Sequence, residues 1–274
     1  MCLSKRVFLI HTTEIDALQI VNSEAYIKVG TPELSHMSDS NKSLDVLGMK
    51  PVAEAVSTVT TATIAGVGAL LSRICLPAAE ELGLHLRDKV GAWRARNLAA
   101  VAAQAEAMLN RLPDADTRHA HPRLVSTVIE SASWIDDFVV QRMWAGLLAS
   151  GCSTDGRDHS NVIFTALLTQ LTPSQARLLR HACVGCTKSV SPAGLVVAAR
   201  ISVPNAELLA IADMTDLHEL DLQLDHLRGT GLFDIASGLH PGFQSADMCP
   251  TALGLQLFIR SEGFLGSPIE YFGL

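Results

Sequence analysis

A mainly α fold, with an N-terminal helical bundle followed by a smaller α+β module, is predicted by three observations. Hydrophobic residues make up 48% of the sequence but aromatic ones only 5%, so the core is built from Ala, Leu, Val and Ile. Those residues lie in long runs separated by 11 prolines, a texture that favours helices. Beyond Thr172 the texture changes, and shorter amphipathic runs alternate with Gly- and Pro-bearing turns. At 274 residues the chain has ample core for one large domain or two small ones. The expected division is a loosely attached segment over 1–47, a helical domain over 48–172 and the α+β module over 173–274.

The opening segment shows no secretory signal: its short apolar centre, Val7 to Ile10, is followed by acidic residues and His instead of a cleavage site. Met37 offers a second plausible start, so residues 1–36 read as an over-extended start or a loose tail. Between Glu54 and Arg73 lie eighteen residues without a charge. As a helix that stretch spans about 27 Å, close to a bilayer's apolar thickness. Its Ser57, Thr58, Thr60, Thr61, Thr63, Gly66 and Gly68 make a buried or partner-facing helix the better reading. Membrane contact through 55–76 is the alternative.

Pro77 suits a kink or first helical turn, with Glu80 and Glu81 placed where the helix dipole favours negative charge. A long helix is predicted from Leu84 to about Leu112, its stripe formed by Leu86, Val90, Trp93, Val101 and Met108. Asn97 falls in that stripe and needs a partner if buried. Arg87, Lys89, Arg94 and Arg96 make this the one basic region. Residues 113–122 read as a loop, Pro122 opens a helix to about Ala132, and Ser133 with Asp136 predicts a capped helix over 134–150. That helix is apolar over a wide arc, which places it centrally in a bundle. A short helix follows over 161–171.

Thr172-Pro173-Ser174-Gln175 is a complete helix-start signal: N-cap, proline at the first position, glutamine to close the capping box. After a helix over 173–184, Ser191-Pro192 predicts another helical piece and residues 204–213 a further one. A capped amphipathic helix then ends at Gly229, LFDI (232–235) reads as a strand, ASGLHPGF as a loop, and TALGLQLFIRSEG as a closing helix. DHLRGTGLFDI followed by TALGLQLFIR resembles a winged helix-turn-helix over 173–263.

Winged helices commonly read DNA, but the charges oppose it here. Residues 201–274 hold ten acidic side chains against two basic ones, Arg228 and Arg260, a net of −8. Phosphate contacts require cations, and the whole chain's net charge of −7 supplies no general attraction. No direct DNA binding is expected; the acidic module instead fits docking against a basic surface, such as the Arg87–Arg96 region.

Six cysteines, without disulfide-framework spacing, fit a reducing cytoplasm. Cys183 and Cys186 form a CxxC with His181 upstream, but one pair gives only half a zinc site; Cys152, His159, His240 or Cys249 has to complete it through the fold. Structural thiols are the expectation, with no resident metal or cofactor. His119 and His121 with Asp114 and Asp116 make a polar loop that reads as solvated. No phosphate loop, nucleophile elbow, dinucleotide fingerprint or zincin motif is present, so no catalytic residue is assigned.

PAAEELGLHLRDKVGAWRARN, then SWIDDFVVQRMWAGLLAS, then LLTQLTPSQARLL, in that order, resemble the abortive-infection alpha family of bacteria over about 48–260. The resemblance rests on Pro77, Glu80, Glu81, Gly83, Asp88, Trp93, Arg94, Asn97, Trp144, Leu147, Leu148, Leu171, Thr172 and Pro173. It implies phage defence of the abortive-infection type and no specific chemistry. Glu80, Glu81, Asp88, Trp93, Arg94, Asn97 and Trp144 are therefore the interaction candidates. The expected mode is contact with a protein partner or self-association, in the cytoplasm or at the membrane surface. A membrane-perturbing effector and a transcriptional regulator are the alternatives.

Overall fold

The computed structural model describes residues 65–75, 91–112, 114–240, 242 and 244–274. All lie in one of the chain's two compact units, Met49–Leu274; the other, Met1–Gly48, is outside the described residues. Also outside them are the expectations for Pro77, Glu80, Glu81, Leu86, Arg87, Asp88, Lys89 and Val90, and most of the 55–76 stretch.

The described end of that stretch is helical over 65–74 (α1). Val67, Leu70, Leu71 and Ile74 are buried at spacings of 3, 1 and 3, the amphipathic period of a helix with one packed face. Arg73 ties it to the next helix, α2 (Ala92–Leu109), with Nη1 donating to Asn110 Oδ1 at 3.2 Å and lying 3.7 Å from Glu106. Among the described residues no helix is long and apolar enough to cross a membrane.

In α2 the buried positions are Asn97 and the apolar Ala95, Leu98, Val101, Ala102, Ala105 and Leu109. This corrects the predicted stripe, of which only Val101 is fully buried among the described positions; Trp93 is exposed and Met108 partly buried. The reason is steric. The alanines let α2 approach the central helix closely, whereas a stripe containing Trp93 would hold it off.

After a 3-10 turn (Ala115–Thr117), β1 (His119–Ala120) pairs antiparallel with β2 (Cys152–Ser153). Between them run α3 (Pro122–Ala132) and α4 (Phe138–Ser150). Every residue of α4 from Met143 to Ser150 is buried, as its all-round apolar character requires. It packs against α2, α3, α5 (Val162–Leu168), α6 (Pro173–Gly185) and α9 (Ala252–Ser261). The cap differs from expectation: Asp137, not Ser133, starts α4, its Oδ1 accepting from the Val139 and Val140 amides at 2.9 and 3.1 Å. Ser133 instead ends α3.

The start of α6 follows the sequence signal, with the reciprocal Thr172–Gln175 capping box and Pro173 in the first turn. Two side chains tie it to later helices: Thr172 Oγ1 donates to Gln223 at 3.0 Å, and Ser174 Oγ to the Ala212 carbonyl at 2.6 Å. Residues 191–192 start no helix. They turn a hairpin between β3 (Lys188–Val190) and β4 (Val196–Ala198), with Gly194 at φ 79°.

Next come β5 (Ile201–Pro204), α7 (Asn205–Ala212), α8 (Leu217–Gly229), β6 (Gly238–Leu239), β7 (Ser245–Met248), α9 and a short α10 (Pro268–Phe272). The three strands order β5-β7-β6, all antiparallel. LFDI is not a strand. Leu232 and Phe233 are buried, and their amides both donate to the Leu227 carbonyl at 3.0 Å, so the doublet plugs the end of α8. The β6 strand falls inside the stretch read as a loop.

Gly146 of α4 lies against the backbone of Ser261 on α9, where an added Cβ would collide with the Ser261 carbonyl. Ser150 reinforces this approach, its Oγ donating to the Arg260 carbonyl at 2.8 Å and receiving Asn161 Nδ2 at 2.8 Å. Helix α9 thus packs onto the bundle from across the 172/173 boundary.

Candidate functional site

Two sequence-distant segments, AWRARN at the start of α2 and SWIDDF before α4, meet at Ser133. Its hydroxyl accepts from Arg94 Nε and Nη2 at 3.1 and 2.9 Å, and its carbonyl from Asn97 Nδ2 at 3.1 Å. This is the partner that buried Asn97 requires. The Arg94 guanidinium also lies over the Trp134 ring, 4.2 Å from its centroid. Trp93 lies beside it, 6.3 Å from Trp134 centroid to centroid and tilted by 52°.

The result is an aromatic patch on a fixed frame. Trp93 is 41% exposed and Trp134 59%, while the groups holding them are buried or half-buried. The frame extends through Gln141, whose Nε2 donates to the Ile135 carbonyl at 2.8 Å, and through Asp137, which pairs with Arg177 of α6 at 2.6 Å. Arg96 is exposed alongside.

Of the sequence-named candidates, Trp93, Arg94 and Asn97 thus converge. Trp144 does not join them: it is 1% exposed in the middle of α4, out of a partner's reach, and its part is packing. Of the basic face only Arg94 and Arg96 are described. Trp134 and Ser133 were missed as site residues, because the Trp-rich and Ser-Trp segments lie some forty residues apart and only packing brings them together.

The cysteine pair sits at the end of α6. Cys183 Sγ faces the Gly254 carbonyl at 3.9 Å, and burial drives its thiol well up, with Cys186 next to it adding to the shift. Burial likewise pushes Cys152 up to about 12 against the lowering charges of Arg118 and Arg73. Of the residues named to complete a zinc site, Cys152 Sγ donates to the Leu148 carbonyl, His159 Nδ1 meets the Arg157 carbonyl, His240 pairs with Asp247 and Cys249 Sγ donates to the Ala198 carbonyl at 3.5 Å, while His181 faces Glu207 at 4.0 Å. Among the described residues no group of three or more His, Cys, Asp or Glu is placed to hold a metal. The polar loop is structural in its use: His119 Nδ1 meets the Arg73 carbonyl at 3.2 Å, and His121 caps α3 by accepting from the Arg123 amide.

A second polar cluster lies on β7. Asp247 is buried between His240 Nε2 at 2.9 Å and Arg200 Nη1 at 3.3 Å. Burial pushes its carboxyl up, but hydrogen bonds from His240 and Ser202 and the charges of His240 and Arg200 hold it below its usual range. Beside this cluster a pocket of about 220 Å³ opens between α8 and residues 235–240, lined by Asp221, Asp225, Arg228, Ile235 and His240 among others.

The sequence profile of the family described as abortive infection alpha matches residues 94–246, more than half of the chain, and the chain belongs to that family. Membership points to abortive infection, a phage-defence response. The matched span begins at Arg94 of the aromatic patch and ends within β7. No curated protein and no solved structure matches the chain significantly.

Proposed function

We propose that the protein serves abortive infection through protein contact, without catalytic chemistry of its own, and that the Trp93–Trp134 pair anchors that contact. The observation that carries this reading is the Ser133 clamp, which holds two exposed indoles and an arginine in one arrangement. Rigid Trp and Arg side chains dominate the energetics of protein interfaces, because they bury large area at little cost in conformational entropy. Support for a non-catalytic role comes from the thiols: with their pKa values raised by burial, Cys152 and Cys183 are protonated and poor nucleophiles at neutral pH. A cytoplasmic protein fits the packed face of α1 better than a membrane effector does, since that face is engaged in the core.

The test is phage challenge of bacteria expressing the wild-type chain or Trp93→Ala/Trp134→Ala. The expected result is protection by the wild type and its loss in the double variant, with equal soluble protein and a thermal midpoint within about 4 °C. A double variant that protects as well as the wild type overturns the reading.

A further inference from the structure

The outward side of α8 and the turn that follows it form a second surface, separate from the aromatic patch. Leu222 on α8 is 64% exposed and Ile235 86%. Both are large apolar side chains, and Leu217 is exposed on the same helix. Burying such groups is favourable when a partner covers them. Around them the exposed charges are carboxylates: Asp216, Glu219, Asp221, Asp225 and Asp234. In the pocket wall Arg228 is engaged by Asp225 and His240 by Asp247. Between helix and turn lies the pocket of about 220 Å³, into whose wall both Asp221 and Ile235 contribute. Exposed Ile235 beside Asp221 in the pocket wall is complementary to a long side chain with an apolar stem and a cationic end.

We propose that this groove docks a basic segment of a protein partner, with a Lys or Arg entering the pocket beside Asp221 while Ile235 covers its stem. The proposal rests on the protein-contact reading for the class of partner, and on its own residues for everything else. Duplex DNA is the occupant the charges oppose: carboxylates facing the phosphate backbone have no counterions to release.

The experiment uses the full chain and three fluorescein-labelled probes at physiological salt. The probes are an amphipathic Lys/Leu helix, the same peptide with Glu for Lys, and a short DNA duplex. The expected result is saturable binding of the Lys peptide only. Asp221→Lys and Ile235→Ala each weaken it at least about tenfold, a loss of 1.4 kcal/mol, with thermal unfolding unchanged. Asp158→Lys, an equal change of net charge at a half-buried position outside the groove, leaves it within about twofold of wild type. Failure of the Lys peptide to saturate below about 1 mM overturns the proposal. So does an Asp158→Lys loss equal to that of Asp221→Lys, or tighter binding of the duplex. None of these outcomes touches the indole pair, whose test is phage protection.

Discussion

Asp137 does two jobs with two oxygens. Oδ1 caps α4, and Oδ2 receives Arg177 of α6. Asparagine keeps the first role and loses the second, so the two are separable. Asp137→Ala is expected to lower unfolding stability by about 2 kcal/mol, of which the cap accounts for about 1 kcal/mol. Asp137→Asn should recover at least the cap's share. Urea unfolding of both variants decides it; an asparagine variant as weak as the alanine one would mean the ion pair, not the cap, dominates. At this scale the sequence was ambiguous for a definite reason. Ser133 and Asp137 are both good N-cap residues, and either predicts a helix through 138–150. What removes Ser133 from the competition is Arg94, 39 residues away, a contact that local patterns do not contain.

Elements were legible where their signals are local. The Thr172–Gln175 box, Pro122 at the start of α3 and Thr251 before α9 all act within one turn of chain. The strands were not, because they are two to four residues long and their pairing is tertiary. Leu232 and Phe233 look like strand residues by composition, yet they are buried at a helix end; β7 carries Ser245 and Asp247, which composition assigns to a loop. The sheet also holds the fold's pH-sensitive element. A carboxylate held low by its neighbours gives stability above the ordinary carboxylate range, and that stability is lost as pH falls through the folded-state value. The stability gap between wild type and Asp247→Asn should therefore be widest near neutrality and shrink as pH falls below about 5. Denaturation midpoints measured across that range check it, and a gap independent of pH would show that the Asp247 charge is not stabilising β7. The candidate site was half legible for the same reason as the sheet: Trp93, Arg94 and Asn97 stand out in one run, while Trp134 is recognisable only once α2 lies beside the α3–α4 turn.

For the whole molecule, the division of the chain at 48/49 sets an expectation for the segment before Met37. Deleting residues 1–36 should leave the thermal midpoint within about 4 °C of the full chain, measured by calorimetry; a larger fall would mean that segment is packed. At the other end, α9 lies directly on α4 only because Gly146 has no side chain. Helix α9 spans Ala252–Ser261, beyond the last residue, 246, of the family match. The stretch by which the family is recognised and the stretch that closes the core are thus different lengths. A fragment trimmed to 94–246 leaves α4, the most buried of the described helices, with one flank open to water, so inheritance marks out less of this chain than cohesion requires.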